Sequence, residues 1–141
     1  MGEYYTYDIS NKLLDMEELL ANITWTPVMV SFVLAYGLGW LWYSPKMFYE
    51  KWRSGKGGEV VQHPMWMPMT AQAGSTLLLA IITNLAANDG HVGHAILVAV
   101  TIAGFIKANG FYAGKTRFAI GVEVGYIIAV IFVMVAVNLV L

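Results

Sequence analysis

The chain has 141 residues, of which 58% are hydrophobic and 12% are charged, and its mean hydropathy is +0.61. A soluble domain is closer to half apolar and a quarter charged, so this composition predicts a protein embedded in a lipid bilayer. The net charge of −1 argues against nucleic acid as a partner, because nucleic-acid binding needs a basic stripe. The absence of cysteine excludes disulfides, thiolate metal sites and cysteine nucleophiles.

Residues 1–25 form a polar segment that is predicted to contain an amphipathic helix from about Ser10 to Ile23. Apolar residues in it recur at spacings of three and four, which places them on one helix face: Leu13, Met16, Leu20 and Ile23. The other faces carry the carboxylates of Asp15, Glu17 and Glu18. Helices that bind anionic lipid usually carry Lys and Arg, so docking on protein is favoured, either on the chain's own bundle or on a neighbour. A solvated helix packed on the outer end of the bundle is the alternative.

Four apolar stretches follow, and each is close to the ~20 residues that cross the hydrocarbon core of a bilayer. Backbone groups in lipid must be satisfied within the segment, so each stretch is predicted to be a helix. The fold class is therefore all-α, a polytopic membrane protein with a transmembrane domain over residues 26–141. The predicted spans are residues 26–44, 68–87, 92–113 and 119–141.

The distribution of basic residues predicts the orientation of these spans. Two loops that fall on the same side of a four-span protein hold most of them: Lys46, Lys51, Arg53, Lys56, Lys115 and Arg117. The segment before the first span holds only Lys12, and the loop between the second and third spans holds none. The positive-inside rule makes the basic side cytoplasmic, which puts both termini on the non-cytoplasmic side. Aromatic residues are expected at the cytoplasmic interface, namely Trp40, Trp42, Tyr43, Trp66 and Tyr112, with Trp25 at the opposite one.

The end of the first span carries a Gly-x-x-Trp-Tyr-x-Pro-x-x-Phe element, Gly39 to Phe48, followed by Trp52. In this the chain resembles a family of small bacterial four-span membrane proteins, domain of unknown function 1761. A looser similarity continues through the last two spans at Gly104-Phe105, Asn109 and Gly125-Tyr126, so that the resemblance covers most of residues 22–141. It implies a bacterial inner-membrane protein with four spans, and it implies no catalytic residue.

Lys107 and Glu123 are the charged residues that lie well inside the predicted spans. Each is eight positions from Lys115, so an antiparallel hairpin that turns there would bring both to a similar depth and allow an ion pair. Charged groups inside a membrane suggest an ion path or a proton relay, and in a transporter Lys107, Glu123 and Asn109 would line a path between protomers. Two structural alternatives are that the pair joins two helices, or that Lys107 extends to the interface.

Other polar and small residues in the spans favour helix packing. Asparagine and tyrosine side chains are expected to form hydrogen bonds between helices: those of Asn84, Asn109, Asn138, Tyr36 and Tyr126. Two pairs of glycines at a spacing of four would let helices approach closely, within the hairpin or in an oligomer: Gly110 with Gly114, and Gly121 with Gly125.

Two groups of residues are weak candidates for a metal site. Asp89, His91 and His94 lie in the loop between the second and third spans, and their ligand types suit zinc or copper. Thioether and imidazole groups that suit Cu(I) precede the second span, at His63, Met65, Met67 and Met69. A solvated loop and flexible apolar filling at an interface are the respective alternatives.

No Ser–His–Asp order, no pair of carboxylates in an apolar span and no phosphate-binding glycine loop occurs in the sequence, so an enzyme is not predicted, nor is a cofactor. The leading hypothesis is a non-catalytic subunit or accessory component of a homo-oligomer or of a larger membrane complex. A small oligomeric transporter or channel is one alternative, and handling of copper or zinc is another.

Overall fold

The structure is a computed structural model that describes residues 3–57, 61 and 63–141, and in those ranges it is all-helical. The helices in chain order are α1 (Glu3–Ala21), α2 (Trp25–Trp42), α3 (Tyr49–Ser54), α4 (Trp66–Asn88), α5 (Val92–Tyr112) and α6 (Arg117–Val140). Four of them, α2, α4, α5 and α6, are long and apolar enough to cross a membrane. The predicted fold class is therefore confirmed.

The four long helices form an antiparallel bundle in which α4 and α6 are the central pair. These two helices contact each other, and each also contacts both α2 and α5, while α3 packs on α6. The larger core cluster joins α2, α4 and α6 through Val28, Ala35, Leu79, Ala80, Tyr126, Val130 and Met134. The smaller cluster joins α5 to α6 through Ala95, Ala99 and Ile131, where alanines allow the two backbones to approach closely.

The boundaries of the spans follow from local chemistry. Helix α2 ends at Trp42, two residues before the predicted end, because Pro45 disfavours helical backbone at Ser44. Helix α4 begins at Trp66, so Pro68 falls in its first turn, where a backbone N–H has no partner within the helix. At the start of α6, the hydroxyl of Thr116 caps the helix by accepting a hydrogen bond of 3.2 Å from the backbone N–H of Ala119.

The N-terminal helix differs from its prediction in both extent and packing. It begins by Glu3 rather than near Ser10 and ends at Ala21, because no glycine or proline interrupts this stretch. Three of the four predicted apolar side chains, Leu13, Met16 and Leu20, are more than half exposed. The fourth, Ile23, follows α1 and packs against the larger core cluster. The expectation that this face docks on the chain's own bundle is therefore wrong for Leu13, Met16 and Leu20 and holds at Ile23.

The bundle has two chemically different ends. The basic end comprises the end of α2, the connection through α3, the start of α4 and the α5–α6 turn, residues 113–116. The asparagine end comprises the start of α2, the end of α4, the start of α5 and the end of α6, and α1 joins the bundle there through residues 22–24. Five of the eight Lys and Arg residues lie within the segments of the basic end, and two more border it, since Arg117 begins α6 and Lys107 lies on α5 five residues before that helix ends. The exception is Lys12.

Candidate functional site

The Gly-x-x-Trp-Tyr-x-Pro-x-x-Phe element folds the end of α2 back onto α6. The indole N–H of Trp42 donates a hydrogen bond of 3.0 Å to the backbone carbonyl of Val122, and its ring lies 4.9 Å from that of Phe48. Tyr43 lies 4.8 Å from Trp52, ring centre to ring centre, and 5.6 Å from Tyr126. Trp42 and Tyr43 thus lie at the basic end of the bundle, and both pack against other rings there.

An ion pair between Lys115 and Glu123 lies at the centre of the basic end. The ammonium group of Lys115 donates hydrogen bonds to both carboxylate oxygens of Glu123, at 2.7 and 2.9 Å. The indole N–H of Trp52 donates a third hydrogen bond of 3.0 Å to the same carboxylate. The side chain of Glu123 is only 15% exposed, so these three donors replace most of its hydration.

The pairing of Glu123 corrects the prediction that Lys107 would be its partner. Lys107 has an exposed side chain on α5 and makes no hydrogen bond or ion pair with any described residue. Lys107 and Glu123 are equally far from the turn, which predicts a similar depth for both. The carboxylate of Glu123 is nevertheless bound by Lys115, which lies in the turn itself. Asn109 is also exposed on α5, so the three transport candidates, Lys107, Asn109 and Glu123, are not brought together.

The connection after α3 contacts the α5–α6 turn through backbone atoms. The N–H of Thr116 donates a hydrogen bond of 2.9 Å to the carbonyl of Gly55. Gly57 has a φ of +66°, and a Cβ at this position would lie 2.5 Å from the carbonyl oxygen of Gly114. Only glycine fits there, because both the backbone conformation and the contact exclude a side chain.

The ammonium group of Lys56 lies over the ring of Trp52, with its Nζ 3.9 Å from the ring centre. Burial lowers the pKa of Lys56 below its usual value, and repulsion from Lys115 lowers the pKa further. The contact with the aromatic face compensates in part for the lost hydration of the ammonium group.

The predicted glycine pairs act as single close contacts and do not form continuous faces. A Cβ on Gly110 would lie 2.6 Å from Cγ1 of Ile120, so α5 and α6 are in tight contact there. A Cβ on Gly125 would lie 3.3 Å from the indole of Trp42. Gly114 has a φ of +70° in the turn, and a Cβ on Gly121 would meet open space. Gly110 and Gly125 therefore serve packing within the chain.

Tyr126 supports the middle of the bundle toward the basic end. Its hydroxyl donates a hydrogen bond of 3.1 Å to the carbonyl of Ala35 and accepts one of 3.0 Å from the side-chain amide of Gln72. Three helices, α2, α4 and α6, thus meet at one buried hydroxyl, as we predicted for an intramembrane tyrosine. Tyr36 makes a weaker hydrogen bond, at 3.4 Å, to the carbonyl of Met69.

At the opposite end, α2, α4 and α6 are joined by a network of side-chain amides centred on Asn84, which is fully buried. Its oxygen accepts a hydrogen bond of 2.8 Å from the backbone N–H of Thr24, and its NH₂ group donates one of 2.8 Å to Asn138. The amide of Asn88 donates to the carbonyl of Asn22 at 2.8 Å and to the hydroxyl of Thr24 at 3.1 Å. The predicted interhelical role is confirmed for Asn84 and Asn138, whereas exposed Asn109 shows no such contact with the described residues.

Helix α1 turns its acidic side toward the bundle and its apolar side away from it. A shallow depression between α1 and the end of α4 is lined by Asp15, Glu18, Leu19, Asn22, Leu85 and Asp89. At about 100° per residue, the stripe of Ile9, Leu13, Met16 and Leu20 lies roughly 130° around the helix from the side that lines this depression. We call these four residues the outer stripe, and each is more than half exposed.

The metal candidates do not assemble into a closed site. The rings of His91 and His94 are stacked with their centres 5.3 Å apart. Within the described ranges, no group of three or more His, Cys, Asp or Glu residues is placed to hold a metal ion, so Asp89 does not complete a site with this pair. In the methionine run, the side chains of His63, Met65, Met67 and Met69 are all exposed.

No family model, no curated protein and no solved structure matches this chain. The resemblance to domain of unknown function 1761 therefore stays a prediction that rests on the sequence element of residues 39–48. What the geometry does establish is a four-helix bundle that is closed by amides at one end and by aromatic rings and an ion pair at the other. The surface feature that this bundle leaves unexplained is the outer stripe of α1.

Proposed function

We propose that the chain is a non-catalytic subunit of a membrane assembly, either a homo-oligomer or a larger complex, in the bacterial inner membrane. The single observation that carries this proposal is the outer stripe, which exposes four large apolar side chains on the side of α1 that faces away from the bundle. Exposed apolar surface of this kind marks an interaction site. Helix α1 is then the element that docks on the other subunit.

The charge of α1 favours protein over lipid as the occupant of the outer stripe. Surface helices that bind anionic membranes carry Lys and Arg beside the apolar face. Here the neighbouring faces carry Asp15, Glu17 and Glu18, which anionic headgroups would repel. A groove on another protein can accept an apolar stripe with spacings of three and four without that repulsion.

The orientation is part of the same proposal. The basic end faces the cytoplasm, and α1 with the asparagine end faces the opposite side, because cytoplasmic loops carry the excess of Lys and Arg. The chain has no cysteine, so single cysteines can report the side. A membrane-impermeant maleimide should label His91→Cys in intact spheroplasts and should label Ala113→Cys only after permeabilisation. The reverse pattern would overturn the orientation.

Site-specific photo-crosslinking tests the docking role. Leu13 belongs to the outer stripe and is 63% exposed, whereas its neighbour Leu14 is 55% exposed and lies roughly 130° away from the centre of the stripe. A photoreactive residue at position 13, introduced in the native host, is expected to give a discrete protein adduct, and the same residue at position 14 is not. The absence of protein adducts from position 13, or equal adducts from both positions, would reject α1 as the docking element.

The transporter hypothesis has less support from the same geometry. Glu123 is occupied by Lys115 and Trp52, and exposed Lys107 and Asn109 lie on α5 away from that pair. The predicted path would run between protomers, and Glu123 would have to give up its hydrogen bonds with Lys115 and Trp52 to line it beside Lys107 and Asn109. The absence of a catalytic role is part of our proposal, because the part-buried charged groups of the basic end are engaged with one another or with Trp52: Glu123 binds Lys115 and Trp52, and Lys56 lies on the ring of Trp52.

A further inference from the structure

The cations of the basic end fall into two groups: some have a charged or aromatic partner that buries them in part, and others are exposed. Lys115 is paired with Glu123, and Lys56 lies on the ring of Trp52. The remaining ones are exposed and have no ion pair with any described residue: Lys46, Lys51, Arg53, Lys107 and Arg117. The acidic groups of this end, in the ranges that the structure describes, are Glu50 and Glu123, so a surplus of positive charge remains.

Helix α3 holds two of these exposed cations at the sides of the bundle. Trp52 points inward to Glu123, and at about 100° per residue Lys51 and Arg53 extend from the two flanks of α3, while Glu50 points outward. The Nζ of Lys51 is 5.6 Å from the ring centre of Phe118, and the guanidinium of Arg53 donates a hydrogen bond of 3.3 Å to the hydroxyl of Tyr49. Each side chain thus has an aromatic contact, that of Lys51 with α6 and that of Arg53 within α3.

Exposed aromatic residues surround the same end. Trp40 is 76% exposed, Trp66 is 66% exposed and Tyr112 is 93% exposed, and all three lie within a few residues of a helix terminus at the basic end. Tryptophan and tyrosine in such positions lie at the depth of the lipid headgroups. The exposed cations of α3 and Arg117 are therefore expected at the level of the phosphates.

We propose that the basic end is a binding surface for anionic phospholipid headgroups, formed by Lys51 and Arg53 of α3 together with Arg117 at the start of α6. The positive surplus provides the attraction, and the aromatic contacts of Lys51 and Arg53 reduce the conformational entropy that these side chains lose on binding. Lys46 and Lys107 add charge at the edge of the surface, and Lys115 and Lys56 do not take part. The proposal does not depend on the docking role of α1, which lies at the other end of the molecule.

Lipid titration of the purified full-length chain tests this surface. Protein in a neutral detergent is mixed with dioleoyl phosphatidylglycerol or with dioleoyl phosphatidylcholine, and retained lipid is counted by native mass spectrometry. We expect preferential retention of phosphatidylglycerol, and the preference should weaken as the salt concentration of a parallel fluorescence titration rises. Equal retention of the two lipids would overturn the proposal, as would an equal response to soluble glycerol phosphate.

Paired variants show whether lipid binding depends on these particular cations or only on the net charge of the protein. Lys51→Gln combined with Arg53→Gln is expected to weaken phosphatidylglycerol binding about 30-fold at low salt, since two cations near an anionic surface are removed. Lys51→Arg combined with Arg53→Lys should retain the binding, and Lys12→Gln at the opposite end should not change it. Thermal unfolding checks that each variant is folded. Unchanged binding by the folded double glutamine variant would refute the assignment, and so would an equal loss in Lys12→Gln.

Discussion

The two ends of the bundle hold the same helices together by different chemistry. At the asparagine end, neutral amides form hydrogen bonds with one another and with backbone groups around fully buried Asn84. At the basic end, rings pack around a carboxylate that is bound by an ammonium and an indole N–H. A neutral amide can be buried completely once its hydrogen bonds are satisfied, whereas a carboxylate needs a cation and some contact with water. The comparison indicates that the asparagine end contributes more to the stability of the fold. The basic end instead keeps charged side chains exposed at the surface.

The largest effect is expected at the asparagine end. Asn84→Ala would remove two part-buried hydrogen bonds, from the N–H of Thr24 and to the amide oxygen of Asn138, and would leave a cavity where the Asn84 side chain is fully buried. The free energy of unfolding should therefore fall by about 2 kcal/mol. Titration of the folded protein in mixed micelles with dodecyl sulfate measures this change. Thr101→Ala is the control, because that exposed hydroxyl bonds only to Leu97 of its own helix. Equal stability of the two variants would contradict a stabilising role for the network.

For the contact between α5 and α6 near the basic end, we expect a smaller loss of unfolding free energy. Gly110→Ala would bring a methyl group to 2.6 Å from Ile120, so the two helices must separate and the free energy of unfolding should fall by about 1–2 kcal/mol. Gly104→Ala on the same helix meets open space and should stay within about 0.5 kcal/mol of the wild type. The same titration compares the two, and a larger loss for Gly104→Ala would mean that the α5–α6 contact is placed wrongly.

The ion pair predicts the smallest effect, because both of its side chains keep some contact with water. Lys115→Met leaves Glu123 with only the indole of Trp52, and the expected loss of unfolding free energy is about 1 kcal/mol. Lys107→Met removes a cation of the same type from the exposed side of α5 and should leave stability unchanged. If instead Lys107→Met were the more damaging change, the pairing that we predicted from the sequence would be right and the observed one wrong.

Much of the fold is predictable because the membrane imposes simple rules. The lengths and order of the four spans follow from apolar stretches of about 20 residues. The hydrogen bonds of Asn84 and Asn138 also follow from chemistry, since an amide that is surrounded by apolar residues must find a partner in another helix. Three residues of the outer stripe, Leu13, Met16 and Leu20, were visible as a helical period. The predicted start near Ser10 was seven residues too late, and Ile9 was missed.

The parts that could not be predicted depend on the rotation of the helices about their axes. Depth in the membrane follows from counting residues, but the direction of a side chain follows from packing, so Lys107 and Glu123 were paired wrongly. Trp52 drew attention only through the resemblance, and no rule of spacing connects an indole on a six-residue helix with a carboxylate 71 residues later. The outward rotation of α1 became evident only from the residues that line its contact with α4.

The most direct test of the proposed assembly is native mass spectrometry of the untagged protein, extracted gently from its own membrane, beside the Leu13→Gln variant. We expect the wild-type chain to be found in a defined complex, with further copies or with other subunits, and we expect the Leu13→Gln variant to lose that complex. Leu14→Gln should leave the complex intact. A wild-type chain that is found only as a monomer with bound lipid would contradict the account.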